Sequence, residues 1–128
     1  EDIISGSGIS KIYETLTHEK LSAEEIFKKF LDKEPDALFV MNGFIKSLSQ
    51  TLSDLALSFL PGKGILLAGS LSRSIYTHFN QQNFFEPFIN NNTGMHSDIL
   101  KNTPIGVITK ERTPLYGNLA FYKNLNKI

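Results

Sequence analysis

The sequence predicts an α/β domain that is rich in helices and has a small, mostly parallel β-sheet. Three short apolar segments predict its strands, at Ile3–Ile4, at residues 65–68 and at residues 105–108. The second segment is an uninterrupted apolar run, which is typical of a strand covered on both faces in a parallel sheet. Helical periodicity fills the intervals, so the predicted order is β-α-α-α-β-α-α-β-α.

Length and composition fit one domain over residues 1–128. The chain has no cysteine, which excludes a disulfide framework, a thiolate nucleophile and a cysteine-ligated metal. Thirteen basic and thirteen acidic residues give a formal net charge of 0, which argues against nucleic acid as the main partner. The most apolar stretch, residues 52–69, contains Asp54, Pro61 and Lys63, so we expect no membrane helix. The first residues match no signal peptide and lack an initiator methionine, so we expect a fragment of a longer protein.

The first predicted strand passes through a glycine turn into a helix. Ile3–Ile4 stops at the sequence Ser-Gly-Ser-Gly of residues 5–8. Apolar residues then recur at the spacing of one helix face, and they are Ile9, Ile12, Tyr13 and Leu16. Such a junction directs free backbone N–H groups away from the start of the helix.

A capping box predicts the start of the second helix. Ser22 is the expected N-cap, Glu25 lies at the third helical position, and Leu21 can pack against Ile26 as a hydrophobic staple. The predicted buried face of this helix comprises Ile26, Phe27, Phe30 and Leu31.

A long third helix is predicted after Pro35, from about Asp36 to Leu60. Its apolar residues alternate in steps of three and four, and they are Leu38, Met41, Ile45, Leu48, Leu52, Leu55 and Phe59. This stripe suits a helix that spans the core of its own domain or a coiled-coil seam that pairs with a partner. Few charges flank the stripe, which favours the core-spanning helix.

The second half of the chain alternates further helices with the remaining strands. Gly69 and Ser70 turn the strand at residues 65–68 into a helix that contains Arg73, Ile75, Tyr76 and Phe79. Another helix is expected at Phe84, Phe85, Phe88 and Ile89, and a short one from Ser97, as N-cap, to Leu100. Thr113 as N-cap and Pro114 at the first helical position predict a last helix to about Asn126.

The two glycine junctions between strand and helix are the candidate binding elements. A helix start offers unpaired N–H donors and about half a positive charge, which suit a phosphate or the hydroxyls of a sugar. In open α/β sheets, ligands bind outside the carboxyl ends of the strands. Neither junction is a complete phosphate-loop or dinucleotide motif, and glycines between a strand and a helix also serve as simple turns.

The sequence predicts neither a metal site nor a serine nucleophile. His18, His78 and His96 show no metal-ligand spacing. Ser70 lacks the second glycine of a nucleophile elbow.

Three segments of the sequence resemble the motifs of one protein family. Residues 1–9, Glu-Asp-Ile-Ile-Ser-Gly-Ser-Gly-Ile, resemble the family's Glu-x-hydrophobic-hydrophobic-Ser-Gly-x-Gly-hydrophobic segment. Residues 64–69, Gly-Ile-Leu-Leu-Ala-Gly, are similar to its glycine-hydrophobic-Ala-Gly-Gly strand and turn. Residues 104–108 and 114–120 are similar to its last strand and C-terminal helix. The three segments follow one another in the family's order over nearly the whole chain, so the chain resembles the bacterial-type glucokinases.

This resemblance implies the C-terminal part of the large domain of a cytoplasmic sugar kinase with the ribonuclease H-like fold of actin-like ATPases. Such a kinase transfers the γ-phosphoryl group of ATP, with Mg²⁺, to the 6-hydroxyl of D-glucose. By the resemblance, Glu1 binds glucose, Gly69 and Ser70 contact the adenosine part of ATP, and Gly6 and Gly8 line the cleft. Ser70 stands where the family has a second glycine.

In the resembled family, the phosphate loop and the catalytic aspartate lie in an N-terminal portion, so no catalytic residue is assigned in this chain. We therefore expect the isolated chain to be catalytically inert and its own N-terminal domain to be its partner. An open strand edge would also favour a homodimer. The alternatives are a non-catalytic helical interaction module and a sugar-responsive regulator of the same fold.

Overall fold

The computed structural model describes residues 4–89 and 94–125, so predictions that fall on residues 1–3, 90–93 or 126–128 lie outside the described residues. Within the described ranges, the helices and strands are α1 (Gly6–Thr17), α2 (Ala23–Leu31), α3 (Pro35–Phe59), β1 (Ile65–Leu67), α4 (Ser70–Ile75), α5 (Glu86–Ile89), α6 (Met95–Lys101), β2 (Ile105–Val107) and α7 (Thr113–Leu125). A 3-10 turn (Tyr76–His78) and a π-helical turn (Gln81–Phe85) connect α4 to α5. The predicted class, a helix-rich α/β fold with a small parallel sheet, is confirmed.

The sheet consists of β1 and β2, which run parallel in a register that aligns Ile65 with Ile105 and Leu67 with Val107. One face packs on the core, where Leu67 is buried. On the other face, the side chain of Leu66 is 71% exposed. The expectation of a strand covered on both faces is therefore wrong for the described part of the chain.

The chain enters α1 directly, and Ile4 lies in a bend where the first strand was expected. Ser5 is the N-cap of α1, with extended backbone, and its Oγ accepts a hydrogen bond from the Gly8 N–H at 3.0 Å. Because the Ser5 side chain caps the first helical turn, Gly6 and Gly8 belong to α1 and do not form a separate glycine turn before it. The helical face of α1 is as predicted, with Ile9 and Tyr13 in the core.

The capping box of α2 is confirmed. The Glu25 N–H donates to the Ser22 Oγ at 3.3 Å, and the Ser22 N–H donates to the Glu25 Oε2 at 2.8 Å. Ile26 and Phe30 are buried as expected, and Phe27 is half-buried. Leu31, which was expected on the buried face, is the last residue of the helix and is exposed.

Replacing Ser22 by alanine should destabilise the fold by about 1 kcal/mol, because one end of the capping box is lost. The hydrogen bonds from Ser22 also lower the pKa of Glu25 below its ordinary value of 4.5. A lowered carboxyl pKa stabilises the fold above the unfolded-state pKa, and this stabilisation is lost as the pH falls through the folded-state pKa. Thermal unfolding should therefore show a larger gap between wild type and Ser22→Ala at neutral pH than in acid. An equal gap at both pH values would contradict this role for Glu25.

α3 is the central helix of the domain, and it packs against α1, α2, α5, α6 and the π-helical turn. Its buried residues are Ala37, Val40, Met41, Phe44, Ile45, Ser49, Leu52, Ser53 and Ala56. The prediction that α3 spans the core is confirmed, but Leu55 and Phe59 at the end of the predicted stripe are exposed. A stripe with a mean step of 3.5 residues drifts by about 20° per seven residues around a helix of 3.6 residues per turn. Over a helix this long, the stripe rotates away from the core.

The segment after α4 is held in place by aromatic packing. The ring of Phe84 stacks on that of Phe79 with a centroid distance of 4.0 Å and an interplanar angle of 7°. The Oγ of Ser49, on the buried face of α3, donates a hydrogen bond to the Phe84 carbonyl. The expected helix around Phe84 is therefore a π-helical turn followed by the short helix α5.

Two predicted helix starts differ from the structure. Gly94, with a positive φ of 62°, is the N-cap of α6, so Ser97 lies inside the helix and does not cap it. Thr113 is the first residue of α7, and its Oγ1 donates backward to the Lys110 carbonyl at 2.7 Å. Both helices therefore begin earlier than predicted.

α7 exposes a large apolar surface. Five of its large apolar side chains are each at least half exposed, and they are Leu115, Tyr116, Leu119, Phe121 and Tyr122. None of the helices in the described part of the chain combines the length and the apolar character needed to cross a membrane.

Candidate functional site

A cavity of about 600 Å³ lies where the start of α1, the outer face of α2 and the start of α4 meet. Its lining residues are Gly6, Ala23, Glu24, Phe27, Lys28, Leu31, Ser70, Leu71 and Ser74. Three segments that are distant in the sequence thus form one site.

The close approach of α1 and α2 forms one wall of this cavity. A Cβ placed on Gly6 would lie 3.7 Å from the Cβ of Ala23, which is ordinary van der Waals contact. Both positions carry little or no side chain, so the two helix starts come together and leave space beside them. The capping serines, Ser5 and Ser22, fix where each helix begins.

The turn from β1 into α4 forms the opposite wall. Gly69 has φ 119° and ψ 164°, a backbone conformation that side chains of other residues disfavour. It is the N-cap of α4 and provides no side-chain acceptor, so the first N–H groups of α4 have no cap. Ser70 and Leu71, which carry two of these N–H groups, line the cavity.

The lining combines apolar surface with a few polar groups. Phe27 and Leu71 contribute apolar surface, and the ring of Phe27 is held edge-on to that of His78 at a centroid distance of 5.7 Å. Lys28 is exposed, and its ammonium has no ion pair within 4.0 Å among the residues that the structure describes. Glu24 lies one turn before it on the same face of α2. The lining therefore offers apolar surface to a ring and one exposed ammonium to an anion.

The structure brings together two of the five residues predicted from the sequence. Gly6 and Ser70 line the same cavity, although they are far apart in the chain. Gly69 lies next to Ser70 at the N-cap and does not line the cavity, and Gly8 is buried with its N–H bound to the Ser5 Oγ. Glu1 lies outside the described residues.

The residues that α2 contributes to the cavity were not predicted from the sequence. Glu24, Phe27 and Lys28 look like the ordinary surface and core positions of an amphipathic helix, and their spacing does not indicate a ligand. Their place in the cavity follows from how α2 packs against α1 and α3. Among the described residues, no three side chains of His, Cys, Asp or Glu lie close enough together to hold a metal ion.

Comparison with known proteins gives a consistent result for sequence and structure. The family described as Glucokinase matches the chain over residues 1–125. A glucokinase of Mesorhizobium japonicum is 28% identical over 131 residues, which cover 97% of this chain and 38% of that protein. A glucokinase of Caulobacter vibrioides is 28% identical over 123 residues, which cover 91% of this chain and 37% of that protein. The chain thus spans less than two fifths of the length of these curated relatives.

A crystal structure of a glucokinase from an Antarctic psychrotroph has the same fold, with a TM-score of 0.79. The match covers 97% of this chain and 40% of that chain, at 23% sequence identity.

Proposed function

The chain belongs to the glucokinase family, and from this premise we propose that it is the C-terminal part of an ATP-dependent glucokinase. The complete protein transfers the γ-phosphoryl group of ATP, bound with Mg²⁺, to the 6-hydroxyl of D-glucose. The part described in the structure contributes to the adenosine site, and Glu1 contributes to the glucose site. The phosphate loop and the catalytic base come from the rest of the protein.

The observation that carries this proposal is the meeting of Gly6 and Ser70 in one cavity. Each belongs to a segment that resembles a glucokinase motif, and nothing in their local sequence requires the two segments to meet. A shared ligand explains why both should lie at the same opening. The lining is also suited to a nucleotide, since it offers apolar surface to a purine and Lys28 to a phosphate.

Ser70 gives the nucleotide site of this chain a feature of its own. The side chain replaces the glycine of the family pattern and adds a hydroxyl to the wall of the cavity. The backbone at Ser70 is also held by a hydrogen bond, because its carbonyl accepts from the Ser74 Oγ at 3.2 Å. We propose that the nucleotide contacts this hydroxyl at the place where other members of the family present bare backbone.

Replacing Ser74 by leucine should raise the KM for ATP about tenfold in the complete protein, because the larger side chain narrows the adenosine cavity. The KM for glucose should stay unchanged. Ser58→Leu is the matched control, because Ser58 also donates to the carbonyl four residues earlier but lies on α3, outside this cavity. Steady-state kinetics with each substrate varied in turn measures both constants. Equal effects of the two substitutions on the KM for ATP would show that the cavity is not the nucleotide site.

Replacing Glu1 by glutamine should lower kcat/KM for glucose by about 10- to 100-fold, because a charge-assisted hydrogen bond to a sugar hydroxyl becomes a neutral one. The affinity for ATP should change little. Glu14→Gln, an exposed position on α1, is the matched control. A wild-type kcat/KM for glucose in Glu1→Gln would remove the sugar-binding role of this carboxylate.

We propose further that the chain alone does not catalyse the reaction and that its exposed apolar faces pack against the rest of the protein. The outer face of the sheet at Leu66 and the apolar side chains of α7 are the surfaces concerned. A coupled assay of glucose-dependent ADP formation, with the isolated chain beside the complete protein, tests the assignment. Turnover by the complete protein alone is expected, and turnover by neither would overturn the proposed function. In isolation, the same faces are expected to drive association into homodimers.

A further inference from the structure

A second cavity, of about 530 Å³, lies between the first half of α3 and the π-helical turn, and it shares no lining residue with the first. Phe39, Asn42, Gly43 and Lys46 line it from α3, and their spacings of three and four residues place them on one face of the helix. Gln82 lines it from the π-helical turn. Such turns within helices are frequent at functional sites.

Side-chain hydrogen bonds connect the two elements at the wall of this cavity. Asn83 is buried, and its Nδ2 donates to the Asn42 Oδ1 at 3.1 Å and to the His78 carbonyl at 3.0 Å. Its Oδ1 accepts from the Asn80 N–H at 2.8 Å. These bonds orient the Asn42 amide, so that its oxygen faces Asn83. The Nδ2 of Asn42 has no acceptor among the residues that the structure describes, so it remains available to a ligand.

Among the described residues, no neighbour requires a glycine at position 43. Gly43 lies inside the first half of α3, where glycine is less favourable than alanine. A Cβ built on it would meet no atom within 4 Å. The absent side chain therefore makes no room for a neighbour within the fold, but it does let a bound molecule approach the backbone of α3.

The charge and the aromatic surface of the cavity point to the chemistry of that molecule. Lys46 is exposed and has no ion pair in the described part of the chain, and no carboxylate lines the cavity. The ring of Phe39 is 70% exposed at the edge. The lining thus offers hydrogen-bond donors and one positive charge beside an open aromatic face.

We propose that this cavity binds a small phosphate ester, with its phosphate held by Lys46 and the Nδ2 of Asn42 and its ring packed on Phe39. A neutral sugar fits less well, because carboxylates usually accept hydrogen bonds from its hydroxyls and none is present. A hexose phosphate and a nucleoside monophosphate share the required ring and phosphate. The site is separate from the adenosine cavity, so it does not depend on the proposed kinase activity.

Titration of the ¹⁵N-labelled protein with glucose 6-phosphate, AMP or inorganic phosphate tests this site directly. The side-chain amide signals of Asn42 and Gln82 should shift with at least one ester at millimolar concentrations. Inorganic phosphate should bind about tenfold more weakly, because it lacks the contact with Phe39. The ester that binds more tightly shows whether the ligand is a hexose phosphate or a nucleoside monophosphate. The proposal is overturned if neither ester shifts these signals, or if inorganic phosphate binds as tightly as the esters do.

Substitutions separate binding from folding. Lys46→Gln should weaken the ester about tenfold, whereas Lys11→Gln, an exposed lysine that lines a neighbouring groove, should leave it unchanged. Gly43→Met should abolish binding and yet raise the melting temperature, because methionine is the better helix former and blocks the cavity. Equal effects of Lys46→Gln and Lys11→Gln, or unchanged binding by Gly43→Met, would contradict the proposal.

Discussion

Replacing Gly64 by alanine should destabilise the protein by about 4 kcal/mol, through backbone strain and steric overlap together. Gly64 has φ 94°, and a Cβ at this position would lie 2.3 Å from the carbonyl oxygen of Pro104. The same oxygen accepts the Ile65 N–H at 2.8 Å, which starts the pairing of β1 with β2. Because a backbone atom cannot move aside as a side-chain tip can, the alanine should open this end of the sheet.

Urea unfolding and hydrogen exchange at the Ile65 amide measure this effect. Gly69→Ala is the matched control at the other end of β1, since Gly69 also has a positive φ but a Cβ there would meet nothing within 4 Å. It should cost only the backbone strain, about 1–2 kcal/mol. An equal loss of stability in the two variants would show that the steric overlap with Pro104 does not destabilise Gly64→Ala. If Gly64→Ala disrupts β1, it should also displace Ser70, because β1 leads directly into the start of α4.

Replacing Phe84 by alanine should destabilise the protein by about 3–5 kcal/mol, as expected for a large aromatic side chain in a core. The side chain is 1% exposed, stacks on Phe79 at 4.0 Å and lies parallel to Phe88 at 6.4 Å. Its loss leaves a cavity between α3 and the π-helical turn. A loss of this size is a large part of the 5–15 kcal/mol that stabilises most domains.

The neighbouring Phe85 provides the comparison for Phe84. Its ring meets that of Phe84 edge-on at 5.4 Å, but 46% of the side chain is exposed. Phe85→Ala should therefore cost about 1 kcal/mol, roughly the transfer of half a side chain. Thermal unfolding of both variants gives the two values. Similar losses would mean that the stacked arrangement around Phe84 contributes little beyond its area.

Local signals in the sequence were sufficient for much of the fold. The capping box at Ser22 and Glu25 requires only residues three apart, and it formed as predicted. The bounds of α3 followed from Pro35 at its start and Pro61 beyond its end. Both outcomes depend on interactions within one or two turns of helix, which a sequence pattern contains in full.

The predictions that were wrong on α3 concern residues whose burial depends on a neighbouring element. Leu55 and Phe59 continue the apolar stripe of α3, but no element among the described residues covers them. Ser49 and Ser53 are polar residues that the structure buries, and the Ser49 Oγ donates to the Phe84 carbonyl across the contact between α3 and the π-helical turn. Burial is a property of two surfaces, so a periodic pattern on one helix can give a face only approximately.

The sequence by itself predicted most of the helical segments, a small and mostly parallel sheet that includes the apolar runs at residues 65–68 and 105–108, and the family that the motifs resemble. The tertiary structure alone decided that Gly6 and Ser70 share a cavity, that Phe27 and Lys28 of α2 complete it, and that α3 and the π-helical turn enclose a second one. Helices follow from backbone hydrogen bonds between residues a few positions apart and from the rotamer preferences of single side chains. A cavity forms between elements whose relative placement depends on the packing of the whole core. Its lining residues therefore share no recognisable pattern in the sequence.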